Sequence, residues 1–146
     1  MRAKIIGTGS YAPEMILTNQ ELEQRIDTSH AWIVERTGVH ARHIVSKDEA
    51  TSDLAVHAGE RALQAAGVAP SDLDLIIVAT TTPDMLFPST ACLVQHRLAA
   101  TSAAAFDLAA ACAGFVYALS VGEQFILSGK SKTALIIGAD VMSRFV

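Results

Sequence analysis

The sequence predicts an α/β fold with a largely parallel sheet, on two observations. The runs LDLIIVATT, SAAAFDLA and KTALIIGAD are apolar without alternation, as strands covered on both faces are. Between them lie segments of helical periodicity, and strands alternating with helices favour parallel pairing. Right-handed crossovers then put helices on both faces of the sheet.

The elements follow in order. AKIIGTGSY reads as a first strand, stopped by Pro13. Thr18 opens a helix with a capping box, because Glu21 stands three residues on and can reach back to the cap. AWIVER makes a second short helix ending at Gly38. VHARHIV is extended and half-polar. Thr51, Ser52 and Asp53 start a longer helix, with Leu54, Ala55, Ala58, Ala62 and Leu63 on one face and Gly67 past its end. The strand LDLIIVATT is followed by a loop through TTPDMLFP and a helix through STACLVQHRLAA. SAAAFDLA is the next buried strand, CAGFVYALSVGEQFILSG a helix ending at Gly129, and KTALIIGAD the last strand.

The helix after Cys112 is apolar all round: Phe115, Val116, Leu119, Val121, Phe125, Ile126 and Leu127 encircle it. Such a helix is buried on every side. One sheet covers one side only, and too little chain remains to cover the other.

Composition narrows the function. With 146 residues, half of them apolar, the chain can bury the core of one ordinary domain. A formal charge of −4 and no basic run argue against nucleic acid or an anionic membrane surface as partner. No apolar run approaches the ~20 residues of a membrane span, and the N-terminus lacks the apolar core of a secretion signal. Cys92 and Cys112 suit a reduced, cytoplasmic protein better than a disulfide scaffold. No CxxC or histidine cluster suggests a metal site.

GTGSYA, Gly7 to Ala12, matches a dinucleotide-binding pattern. That fingerprint needs its glycines to open a helix whose N-terminus holds the pyrophosphate. Here Pro13 follows and the helix starts at Thr18, so Gly7 and Gly9 are read as sites of close packing.

Cys92, on an amphipathic helix, reads as a small core residue. Cys112 sits where a strand passes into a helix, facing the helix N-terminal amides and the positive end of the dipole. Ala109 to Ala111, Ala113 and Gly114 leave room for a substrate carbonyl and for N–H donors to an oxyanion. The residues alone leave two readings open, a buried packing unit and a nucleophile.

LAAACAGFVYAL resembles the active-site segment of the β-ketoacyl-acyl-carrier-protein synthase III family, in the thiolase-like superfamily. KIIGTGSYAPE, LTNQELE, DTSHAWIVERTGV, LDLIIVATTTPD, FPSTACLVQ and ALIIGADVMSR resemble that family's N-terminal half, in order and spacing. The resemblance implies a thiolase-like fold, of which residues 1–146 are an incomplete N-terminal domain. It is half of a layered αβαβα architecture with a mostly parallel mixed sheet, with a further strand after Val146. It implies that Cys112 takes the acyl group of acetyl-CoA or another short acyl-CoA. The acyl-enzyme then condenses with malonyl-acyl-carrier protein, with loss of carbon dioxide, to begin fatty acid synthesis. Trp32 resembles the residue that stacks on the CoA adenine, Thr28 its hydrogen-bonding companion and Arg36 the cation that meets CoA phosphate. Phe87 resembles a residue that reaches across a homodimer to shape the partner's acyl pocket, and Met142 matches a position near that pocket.

CoA enters as a thioester substrate, so no resident cofactor and no metal is expected. The family's catalytic histidine and asparagine, second oxyanion donor and carrier-docking patch belong to the absent C-terminal half. None of His30, His40, His43, His57 and His96 takes their place. The chain alone is therefore expected to be inactive and to need that half, as a truncated chain, a nicked fragment or one part of a split protein. Two alternatives stay open: a thiolase-like acyltransferase of specialised metabolism, and a non-catalytic fragment of the family.

Overall fold

The computed structural model describes residues 2–145. Met1 and Val146, the ends of the expected 1–146 domain, lie outside the described residues. The chain forms two compact units, one of Ala12–Glu49 with the residues from Ser143 onward, the other of the residues up to Tyr11 with Ala50–Met142.

In the smaller unit β1 (Met15–Thr18) pairs antiparallel with β2 (Ala41–Ile44), Met15 opposite Ile44. Between them lie α1 (Asn19–Glu23) and α2 (His30–Thr37). The capping box forms as the sequence predicts: the Glu21 N–H donates to Thr18 Oγ1 at 3.2 Å and the Thr18 N–H to the Glu21 carboxylate at 2.8 Å. The Thr18 N–H, and then its hydroxyl, hold the Glu21 carboxyl below the usual carboxylate range. Asn19 is fully buried. Its amide nitrogen donates to Val39 O at 2.8 Å and its oxygen accepts from Arg42 at 2.8 Å, tying α1 to the chain around β2. A buried polar group so satisfied costs little and fixes one arrangement.

In the larger unit α3 (Thr51–Ala66) leads to β3 (Leu75–Ala79), α4 (Thr90–Arg97), β4 (Ala104–Leu108), α5 (Gly114–Leu127) and β5 (Ala134–Gly138). The strands form a parallel sheet in the order β4-β3-β5, with Ala79 beside Leu108 on one flank and Gly138 on the other. Central β3 is buried along its whole length. Its alternate residues serve two cores. Ile76 and Val78 join Val56, Leu63 and Val94 of α3 and α4. Leu75, Ile77 and Ala79 join Ala118 and Phe125 of α5. Helices therefore cover both faces, as expected.

Three expectations need correction. AKIIGTGSY is not a strand: residues 2–13 carry no regular secondary structure, and Ile5 and Ile6 are 72% and 51% exposed. A strand exists only with a pairing neighbour, and among the described residues none pairs here. Instead Gly7 and Gly9 lie against the backbone of α3. Next, β4 is half-buried rather than buried, because it is an edge strand. Last, α5 starts at Gly114, and a 3-10 turn, Ala111–Ala113, precedes it.

The fully apolar helix is covered on one side only, as its sequence implies. Its buried residues are Gly114, Ala118 and Gly122, a small-residue stripe with helical spacing. A Cβ on Gly114 would lie 3.3 Å from the Ala79 Cβ, so the helix backbone sits close to the sheet. Val116 and Tyr117 face outward, 60% and 56% exposed, while Phe115, 46% exposed, lies against Gly138 at the end of β5. Among the described residues no helix is long and apolar enough to cross a membrane.

Candidate active site

The segments that follow the C-terminal ends of β3, β4 and β5 hold Phe87, Cys112 and Met142, three of the residues singled out from sequence. After Leu108, β4 gives way to Ala109 and Ala110, and Ala111 adopts a left-handed backbone with φ 45°. A non-glycine residue there costs about 1–2 kcal/mol and persists only where its surroundings over-determine it. Two contacts do so. The Ala113 N–H donates to Ala110 O at 3.1 Å, closing the turn, and Gly114 sits against Ala79. The residue thrown out by this turn is Cys112, which is exposed. No side chain caps the N-terminus of α5, since its N-cap is Ala113. The first-turn amides are thus left to backbone, solvent or ligand.

The sequence reading placed Cys112 at the start of a helix, and the structure agrees to within the turn. Sequence reasoning missed the left-handed Ala111, because nothing in a run of alanines marks which one is strained. The sequence also predicts that the helix after Cys112 is buried on every side. Within this chain it is not: Gly114, Ala118 and Gly122 are its buried residues, Phe125 packs on the sheet core, and Val116 and Tyr117 stay exposed.

Cys92 behaves as a packing residue. It is half-buried on α4, with its sulfur 3.2 Å from Ser89 Oγ and 3.8 Å from Ala105 O.

Phe87 lies in the loop between β3 and α4 and is 88% exposed, next to Leu86 at 99%. Its peptide bond to Pro88 is cis. Met142, just past β5, is also exposed. The roots of this region are held by carboxylates that the sequence did not single out. Asp140 Oδ1 accepts from the Thr81 N–H at 2.8 Å and the Thr81 hydroxyl at 3.0 Å. Asp107, on β4, accepts from the N–H groups of Thr90 and Ala91 at 2.8 and 2.7 Å, capping α4 alongside Ser89. The only hint in sequence was the run of hydroxyl residues TTTPD.

Thr28, Trp32 and Arg36 belong to the smaller unit. The Arg36 guanidinium lies over the Trp32 ring, 4.9 Å from its centroid, as a cation–π pair one turn apart on α2. Trp32 is 52% exposed, so much of its ring remains accessible. Thr28 is half-buried just before the helix.

His57 and His96 are exposed on α3 and α4. His30 and His43 serve the smaller unit: His30 Nδ1 is 3.3 Å from the Asn19 amide nitrogen, and His43 Nδ1 2.5 Å from Pro13 O. Among the described residues no group of three or more His, Cys, Asp or Glu could hold a metal ion.

Residues 106–146, which hold Cys112, match the family model described as 3-oxoacyl-acyl-carrier-protein (ACP) synthase III. A beta-ketoacyl-acyl-carrier-protein synthase III of Xylella fastidiosa (strain Temecula1) is 58% identical over 144 residues, which are 99% of this chain and 44% of that protein. The crystal structure of 3-oxoacyl-acyl-carrier-protein synthase III from Aquifex aeolicus VF5 is similar with a TM-score of 0.93 at 52% identity, over 97% of this chain and 46% of that one. The corresponding protein of Pseudomonas aeruginosa PAO1 gives a TM-score of 0.92 at 43% identity, over 99% of this chain and 44% of that one. The chain spans less than half the length of the curated relatives it matches.

Proposed function

Because the chain belongs to the β-ketoacyl-acyl-carrier-protein synthase III family, with the thiolase-like fold, we propose that it is the nucleophile-bearing N-terminal half of an acyltransferase that starts fatty acid synthesis. The observation that carries the reading is Cys112, held exposed by a strained turn at the uncapped N-terminus of α5.

The chemistry follows from that placement. The Cys112 thiolate attacks the thioester carbonyl of a short acyl-CoA, most simply acetyl-CoA. Negative charge gathers on the carbonyl oxygen, where the Cys112 N–H and the positive end of α5 meet it. The tetrahedral adduct collapses, the CoA thiolate leaves, and the acyl group stays on Sγ. Malonyl-acyl-carrier protein then loses carbon dioxide. The resulting carbanion attacks the acyl carbonyl, a carbon–carbon bond forms, and the Cys112 thiolate is released.

Trp32 receives the CoA adenine on the ring face that Arg36 does not cover. Arg36 meets a CoA phosphate, for which a guanidinium fork suits the geometry. Thr28 adds a hydrogen bond beside them. Phe87 and Met142 shape acyl pockets, Phe87 in the partner of a homodimer. CoA acts as substrate, so the reaction needs no resident cofactor.

The decarboxylating acid–base groups, the second oxyanion donor, the carrier-docking surface and the cover for Phe115, Val116 and Tyr117 come from a C-terminal half. The chain alone is inactive, and the complete protein works in the cytoplasm. In that protein, Cys112→Ala should abolish condensation of acetyl-CoA with malonyl-carrier protein, and Cys92→Ala should leave it within about twofold of the parent. Condensation retained in Cys112→Ala would remove the reading.

A further inference from the structure

We propose that Asp84 is a positioning residue for acyl-chain selectivity, acting by capping α3 from the loop that carries Phe87. The proposal rests on the reading of Phe87 as a wall of the acyl pocket, and deepens it.

The helix α3 has a defect at its start. Its N-cap is Ala50, which has no side-chain oxygen to receive a first-turn amide. Two carboxylates share the task. Asp53, on α3 itself, accepts from the Ala50 N–H at 2.6 Å and pairs with Arg97 at 2.7 Å. Asp84 comes from the β3–α4 loop. Its Oδ1 accepts from the Ser52 N–H at 2.8 Å and its Oδ2 from the Ser52 hydroxyl at 2.7 Å. Ser52 is buried, so water competes little for these bonds. A negative charge at this end also suits the helix dipole. The Thr51 hydroxyl, equally buried, donates to the Thr82 carbonyl.

The loop is therefore fastened at its root by α3 and by Asp140, and at its far end by Asp107 on the first amides of α4. Between the fastenings stand Met85, Leu86 and Phe87, which are 48%, 99% and 88% exposed. The bonds at the base, rather than burial of Leu86 and Phe87, fix where this apolar tip stands. Asp84 is the last fastening before the tip, immediately preceding Met85. Its carboxylate bonds to Ser52 at the start of α3, and among the described residues no hydrogen bond joins it to Cys112, so its loss should move the pocket wall and spare the nucleophile. Small changes in an apolar pocket shift discrimination between chain lengths more than they shift the chemistry.

The test uses the complete enzyme and compares kcat/KM for acetyl-CoA with that for hexanoyl-CoA. Asp84→Ala should change the ratio about tenfold, in the same direction as Phe87→Ala. Asp84→Asn, which keeps one acceptor for Ser52, should fall between Asp84→Ala and the parent. It also serves if the alanine variant does not fold. Alkylation of Cys112 should keep the parental rate in all three. Asp53→Ala weakens the same helix end without touching the loop, and should leave the ratio unchanged. An unchanged ratio in the Asp84 variants, with Phe87→Ala shifted, would overturn the proposal and leave the function standing. An equal shift in Asp53→Ala would also overturn it, since general loosening of α3 would then suffice. An unchanged ratio in Phe87→Ala would refute the pocket reading, and the proposal with it.

Discussion

Gly9 lies so close to Ala62 that a Cβ on Gly9 would fall 2.3 Å from the Ala62 backbone nitrogen. The nearest atoms also include Ala58 O and the Arg61 carbonyl carbon, all backbone of α3. Backbone inside a helix cannot swing aside as a side-chain tip can. The N-terminal segment holds its place by this approach and by the Arg61 side chain, which donates to Ser10 O at 2.6 Å.

Gly9→Ala should therefore push the segment off α3. The expected loss is about 1–3 kcal/mol, typical of overpacking a well-filled site. The midpoint of urea unfolding of the complete protein measures it. A variant as stable as the parent would mean that the segment does not lie against α3.

The Trp32–Arg36 stack makes a second prediction. Trp32→Ala should weaken CoA binding by about 1–3 kcal/mol, the range of base–aromatic stacking elsewhere. Arg36→Ala should weaken it more visibly at low salt, because a phosphate contact is partly electrostatic and is screened. Arg36→Lys should not restore it fully, since an ammonium neither stacks on the ring nor forks onto phosphate. Calorimetric titration of CoA at two salt concentrations decides the matter. Affinity insensitive to both alanine variants would displace CoA from this helix.

Asp74 gives the acid limb of stability a definite sign. The backbone N–H groups of Lys132 and Thr133 donate to its carboxylate at 2.7 and 3.1 Å. Those of Lys132 first and Thr133 second hold its carboxyl below the usual range, with the Lys132 charge helping. The folded state thus binds the proton less readily than the unfolded state. The stabilisation is complete above the unfolded value of about 3.9 and is lost as pH falls through the lower folded value. Asp74→Asn should remove that part of the acid dependence and leave the slope near neutrality unchanged. Unfolding midpoints from pH 7 down to about 2.5 check it, and an unaltered acid limb in the variant would contradict it.

What the sequence revealed were features settled locally. The capping box of Thr18 and Glu21 and the glycine stops at Gly38 and Gly67 appear where they were read, because each depends on neighbours a few residues away. The continuous run of β3 disclosed a central strand, because burial on two faces needs apolar residues on both. What stayed hidden depends on distant partners. AKIIGTGSY has the composition of a strand, but composition cannot supply a neighbour. That α5 would turn Gly114, Ala118 and Gly122 to the sheet, with Val116 and Tyr117 outward, follows from how close its backbone comes to β3 and β5. Asp84, Asp107 and Asp140 look like ordinary loop and strand carboxylates until the fold brings each to amides far along the chain. Cys112 was legible as a strand-to-helix cysteine, and the family resemblance implied the role proposed for it. The strain at Ala111 that presents it was legible in neither.

The difference between the two cysteines can be read directly. At neutral pH a small alkylating agent should modify Cys112 well before Cys92, because one sulfur is exposed and the other is half-buried between Ser89 and Ala105. Peptide mapping after brief labelling measures this. Equal labelling of the two in folded protein would contradict the packing assigned to Cys92.

The central claim is that Cys112 carries the acyl group. The direct measurement is to incubate the complete protein with acetyl-CoA, without malonyl-carrier protein, quench it in acid and map the modified peptide by mass. One acetyl group should appear on the peptide holding Cys112, and it should leave on treatment with hydroxylamine, as a thioester does. The Cys112→Ala variant should stay unmodified, while Cys92→Ala is acylated like the parent. An acetyl group found on Cys92 or elsewhere, or no adduct on Cys112 in a protein that still condenses its substrates, would contradict the account.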